Sequence, residues 1–132
     1  MKIAYRVWLE NDGKAFGKGP NELLKRVAES RSLRQAASQM GMSYSKAWSL
    51  INGIEQRLGF PLLERVVGGR AGGGSRLTPR AEELLVRYER LERDVQQAMA
   101  EIYQDRFGAW WGVESEESGQ DPGGPEPWSG KG

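Results

Sequence analysis

The chain contains no cysteine and no histidine. The first absence removes disulfides and thiolate chemistry; the second removes the commonest metal ligand and the usual general base near neutral pH. The serines and carboxylates that remain are scattered and have no base to activate them, so an enzyme is not expected, and neither is a cofactor or a metal site. Long apolar runs are missing as well, and none approaches the length of a membrane span. The opening Met1-Lys2-Ile3-Ala4-Tyr5-Arg6 is too interrupted by charge to serve as a secretory signal. The expected setting is the cytoplasm, with no membrane partner.

A marked excess of one charge is absent from the total, with 19 basic residues against 18 acidic and a net charge of +1. The distribution is uneven. From Ser43 to Arg80, Lys46, Arg57, Arg65, Arg70, Arg76 and Arg80 face only Glu55 and Glu64, a net +4, whereas Gly112 to Gly132 carries −4. A basic middle suits an anionic partner and is equally compatible with ordinary surface charge. The length of 132 residues leaves room for one domain with a real core.

Ile3, Tyr5, Val7 and Leu9 alternate with Lys2, Ala4, Arg6 and Trp8, which predicts a strand. Asn11-Asp12-Gly13-Lys14 supplies a hairpin turn, and Ala15-Phe16 a short return. Gly19-Pro20 predicts a helix start, with Leu23, Leu24 and Val27 as its apolar stripe to about Ser30. Ser32 and Gln35 have capping-box spacing and open a second helix that runs to about Met40. Gly41 stops it, and Ser43 caps a third helix that runs to Leu58. Two helices joined by so tight a turn cross steeply, as in a helix-turn-helix, and Ala36, Ala37 and Ala47 are small enough to permit it. Leu62 to Val67 and Arg76 to Thr78 read as two strands around the glycine-rich loop Gly68 to Ser75, together a wing. Thr78-Pro79 then opens a long helix with Glu82 and Glu83 in its first turn.

In that helix Ala81, Leu84, Tyr88, Leu91, Val95, Ala98 and Ile102 follow heptad spacing. At roughly 1.5 Å per residue the helix from Pro79 to Phe107 is on the order of 40 Å long, more than a domain this small covers. A homodimer through Leu84, Tyr88, Leu91, Val95, Ala98 and Ile102 is expected; packing of the seam within one chain is the alternative. The organisation read from the sequence is therefore mainly α with small β. Residues 1–78 form a winged helix-turn-helix with an N-terminal β-hairpin, 79–107 a long dimerisation helix, and 108–132 a flexible acidic tail rich in Gly and Pro.

At about 100° per residue, Ala47, Ile51, Ile54 and Leu58 share the core side of the third helix. Ser45, Ser49, Asn52 and Gly53 fall opposite, with Lys46 at the edge, so small polar and basic groups would meet a major groove. Asn52 can pair with adenine, and Ser43 opens the helix. Tyr44 and Trp48 sit at the boundary and read mainly as packing residues, Tyr44 being the one better placed to touch DNA. Ser32 and Arg34 open the second helix, where free N–H groups suit a phosphate. Arg70, Ser75 and Arg76 flank a loop that can follow a backbone or enter a minor groove.

Gly41-Met42-Ser43-Tyr44-Ser45-Lys46-Ala47-Trp48, Leu62-Leu63-Glu64-Arg65 and Gly68 to Thr78 together resemble the N-terminal DNA-binding domain of ModE-type molybdate-responsive regulators. Ser32 to Thr78 is similar, more loosely, to the LysR-type winged helix, with Leu58-Gly59-Phe60-Pro61-Leu62-Leu63-Glu64-Arg65 at a family landmark. The resemblance implies recognition positions on Ser43 to Ser49, a wing on the glycine loop and a dimer helix on Pro79 to Phe107. It also implies a regulator acting on a palindromic operator in double-stranded DNA, with a link to molybdenum or tungsten metabolism. The oxyanion-binding domains of full ModE proteins are not expected here, and no small-molecule effector site is evident. A winged-helix protein-interaction adaptor without DNA binding is the competing reading.

Overall fold

The computed structural model describes residues 1–67 and 74–111. The expected loop with Arg70, and residues 112–132 of the expected tail 108–132, lie outside the described residues. The described residues form two compact units, one within Arg6–Arg93 and the other joining Met1–Tyr5 to residues 94–111.

The larger unit opens with a hairpin of β1 (Leu9–Glu10) and β2 (Lys14–Phe16). Asp12 and Gly13 take positive φ in the turn, as the Asn-Asp-Gly run predicts. The strand expected from Ile3 shrinks to two residues. Its return is only three residues long because α1 (Lys18–Ser30) begins at once, which leaves no partner strand for Ile3 to Val7. Helix α1 starts two residues before Pro20, which therefore sits in the first turn, where its missing N–H still costs nothing.

Helix α2 (Leu33–Gln39) is capped by Ser32 Oγ, which accepts from the Gln35 N–H at 2.9 Å. The Ser32 N–H is taken by Ser30 Oγ at 3.3 Å, not by the Gln35 side chain that a capping box would use. Gly41, at φ 72°, turns the chain sharply. Helix α3 (Tyr44–Leu58) then starts with Ser43 Oγ accepting the Lys46 N–H at 3.1 Å. An antiparallel wing follows, β3 (Leu63–Val66) paired with β4 (Gly74–Leu77) in the register Glu64 to Arg76 and Arg65 to Ser75. Gly74 and Ser75, read as loop in the sequence, belong to the strand. The long helix α4 (Pro79–Phe107) begins behind Thr78, whose Oγ1 accepts the Ala81 N–H at 3.1 Å and donates to the Pro61 carbonyl at 2.9 Å. Among the described residues no helix is long and apolar enough to cross a membrane.

One core joins these elements, built on Phe16, Leu23, Leu24, Val27, Ala36, Ala37, Ala47, Ile51, Ile54, Leu62 and Tyr88. Tyr88 corrects the expected dimer seam. It is 1% exposed, meets Phe16 edge to face at 5.3 Å between ring centroids, and its hydroxyl donates to the Val7 carbonyl at 3.0 Å. Burial pushes its phenol pKa above the usual value. Leu84 packs half-buried against the same core, whereas Leu91 stands exposed. Periodicity cannot separate the two cases, because a helix facing its own core and a helix facing a twin repeat alike. On the neighbouring face, Glu89 accepts from Asn21 Nδ2 at 2.9 Å and meets Lys25 Nζ at 3.1 Å. These two contacts hold its carboxyl below the ordinary carboxylate range.

In the second unit Met1–Tyr5, Gln96, Ala100, Tyr103 and Gln104 line a cleft of about 500 Å³. Val95 is half-buried, and Ala98 and Ile102 are exposed, Ile102 at 54%. Past the helix end, Phe107 stacks on Trp111 at 5.5 Å, and Trp111 Nε1 donates to the Tyr103 hydroxyl at 3.1 Å. The expected tail 108–132 includes Trp111, which here packs on the end of α4.

Because Tyr88 combines full burial with a hydrogen bond, Tyr88→Ala should cost about 3–5 kcal/mol and Tyr88→Phe about 1 kcal/mol. Urea denaturation of the two variants measures both, and equal losses would mean that the ring contributes nothing to the core.

Candidate nucleic-acid interface

Helix α3 has two chemically distinct sides. Ala47, Ile51 and Ile54 are buried, while Ser45, Lys46, Trp48, Ser49 and Gly53 are exposed and Asn52 is half-buried. The predicted polar face is therefore open in the folded chain. Trp48 departs from its reading as a packing residue, standing 50% exposed. Tyr44, likewise read mainly as a packing residue, is half-buried and packs partly against the core.

Tyr44 has a second role. The guanidinium of Arg34 stacks over its ring at 4.2 Å, a cation–π contact that holds a basic group at the start of α2. Ser32, Arg34, Tyr44, Arg65 and Ser75 border one cleft of about 340 Å³ with Leu33, Val66, Val67 and Gly74. Among the described residues its lining contains two arginines and no acid. The structure thus gathers Ser32, Arg34, Tyr44 and Ser75 from three separate parts of the sequence. It adds Arg65, which the sequence reading left out of the site. The available signal was its place in the basic stretch from Ser43 to Arg80; its position opposite Ser75 is set by the strand register. Arg76 is exposed but shared, its Nη2 lying 3.3 Å from Glu64 Oε1 across the wing. Such an exposed pair is worth little, so the guanidinium can exchange its partner readily.

Polar ties set the wing at this position. Glu55 Oε2 accepts from the N–H of Leu62 at 2.7 Å and of Leu63 at 3.3 Å, joining the last turns of α3 to β3. On the other side the Ser75 N–H donates to the Arg31 carbonyl at 3.1 Å. A Cβ on Gly74 would stand 2.5 Å from that carbonyl oxygen, so only glycine allows the strand so near the end of α1.

A helix-turn-helix, an open polar face on its second helix, and an arginine-lined cleft beside a wing are now in place. Residues 22–82 match the family of bacterial regulatory helix-turn-helix proteins, lysR family. This segment is a LysR-type helix-turn-helix domain. The match runs from α1 through α2, α3 and the wing into the first turn of α4. Beyond that family, the chain is similar to the molybdenum transport protein ModE of Herbaspirillum seropedicae, with 44% identity over 71 residues, 54% of this chain and 26% of that protein. It is 39% identical over 83 residues to the DNA-binding transcriptional dual regulator ModE of Escherichia coli K12, covering 63% and 31%. It is also 34% identical over 94 residues to the molybdenum-pterin-binding protein MopB of Rhodobacter capsulatus, covering 71% and 35%. The LysR-type domain is thus ModE-like, and the chain spans about a third or less of each of these relatives.

Gly74→Ala should push the wing off the Arg31 carbonyl at a cost of about 1–3 kcal/mol and speed hydrogen exchange at the Ser75 amide. Gly19→Ala, where a Cβ meets nothing within 4 Å, should not destabilise; thermal melting of the two variants, with exchange measured at Ser75, distinguishes them.

Proposed function

We propose that this chain is a sequence-specific DNA-binding regulator that acts as a homodimer on a palindromic operator, in the cytoplasm. The observation that carries the reading is the open face of α3, with Ser45, Lys46, Ser49 and Asn52 set opposite the buried Ala47, Ile51 and Ile54. Placed in the major groove, that face reads base edges, Asn52 toward adenine and Lys46 toward guanine or a backbone oxygen. Ser32, Arg34, Arg65 and Ser75 hold a phosphate in the cleft beside it, Ser43 and Tyr44 approach the backbone from the first turn of α3, and Arg76 follows it from the wing; Arg70 is given the same role on its sequence position alone. Similarity to a molybdenum transport protein and to a molybdenum-pterin-binding protein supports target genes in molybdenum or tungsten metabolism.

Dimerisation is assigned to the part of the α4 seam that the core leaves uncovered, Leu91, Val95, Ala98 and Ile102, with Leu84 at its edge. Apolar surface repeated at heptad spacing on an exposed helix is stabilised by pairing with an identical helix. Ile102→Glu, at an exposed position where folding of the chain is little affected, should shift the protein from dimer to monomer in sedimentation. An unchanged sedimentation coefficient would remove α4 as the interface.

The DNA reading is tested by fluorescence anisotropy over a salt titration. Affinity for duplex should fall steeply as salt rises, because bound Lys and Arg release counterions. Arg34→Ala and Arg65→Ala should weaken all sequences alike and reduce the salt slope by about 1 each, whereas Asn52→Ala should change preference among sequences by about 1–3 kcal/mol. No binding to any duplex at low salt would leave the protein-interaction adaptor as the function.

A further inference from the structure

We propose that Trp48 is a specificity-determining residue that packs its indole against the 5-methyl group of a thymine in the major groove. The inference rests on the DNA-binding reading and adds to it a residue and a base chemistry. Of the large apolar side chains in α1, α2 and α3, Trp48 alone stands exposed, at 50%. Its indole makes no hydrogen bond, ring contact or cation contact with any described residue; the guanidinium that could have covered an aromatic here, Arg34, lies over Tyr44 instead. The exposed half of the indole offers an external partner a broad apolar face.

The surroundings say what kind of partner fits. Ser45, three residues before Trp48, and Ser49 beside it are small, so the indole is the most prominent group on that side of α3. One turn further on, Gly53 is exposed and a Cβ there would meet nothing within 4 Å. Its glycine is therefore not demanded by packing inside the chain, which fits a helix that another surface approaches closely. A basic cleft lies at the same end of α3, at Tyr44, so the approaching surface is polyanionic while the Trp48 contact itself is apolar. Duplex DNA offers both, since thymine methyl groups are the apolar features of the major-groove edge. Asn52, four residues after Trp48, carries the amide suited to adenine, so the pair at i and i+4 lies on one side of the helix and suits neighbouring A·T pairs.

The test uses the full chain and a duplex operator that the protein selects from a random-sequence library. Each thymine of that duplex is replaced singly by deoxyuridine, which keeps the hydrogen-bonding edge and lacks only the methyl group. For the unmodified protein, at least one replacement should weaken binding about fivefold to tenfold. Trp48→Ala should bind the thymine operator about tenfold more weakly, lose the penalty for that deoxyuridine and keep the salt slope; Trp48→Phe should retain part of the penalty. Absence of any methyl dependence in the unmodified protein overturns the inference without needing a variant. So does a Trp48→Ala protein that keeps the full deoxyuridine penalty, and in both cases the DNA-binding reading survives. Failure of the unmodified protein to select or bind any duplex overturns both.

Discussion

Ala36, Ala37 and Ala47 have no accessible surface, and they occupy the crossing of α2 and α3. The separation of two packed helices is set by the side chains between them, so methyl groups at this crossing bring the helices close. With α2 and Leu23, Leu24 and Val27 of α1 in the same core, α3 has only one side left for solvent. That side is the polar one. A larger residue at Ala47 would have to displace α3, and the direction in which Ser45, Ser49 and Asn52 point would move with it.

The wing depends on the same constraint through polar ties. Glu55 leaves α3 to hold the N–H groups of Leu62 and Leu63, and the Arg31 carbonyl at the end of α1 holds Ser75. These ties bring Arg65 to the cleft that Arg34 also borders. Two like charges there raise the local potential, a cost to the folded chain that an anion would relieve. Stacking of Arg34 on Tyr44 keeps one of the charges ordered before any partner arrives.

Helix α4 divides its single apolar repeat between two uses. Ala81 and Tyr88 are buried, and Tyr88 reaches Phe16 and the Val7 carbonyl, so the N-terminal hairpin and α4 brace one another. Beyond Leu91 the same repeat stands more open. The anchored half fixes the direction of the helix within its own unit, and the open half is the surface on which the dimer proposal rests.

Much was legible from the chain alone because the signals were local. Ser32, Ser43 and Thr78 cap helices where their side chains reach the next orphan N–H, Gly41 takes the positive φ that ends α2, and the 3.6-residue period separates Ala47, Ile51 and Ile54 from Ser45 and Ser49. Each of these depends on residues within about one or two turns of each other, so order along the chain determines it. Tertiary structure decided what depends on residues far apart: the shortening of the first strand once β2 ran out, the burial of Tyr88 under a hairpin more than seventy positions away, the meeting of Arg34 with Arg65, and the exposure of Trp48. A side chain at the edge of an amphipathic helix is covered or left open only by what a distant segment does, and no periodicity along the helix records that.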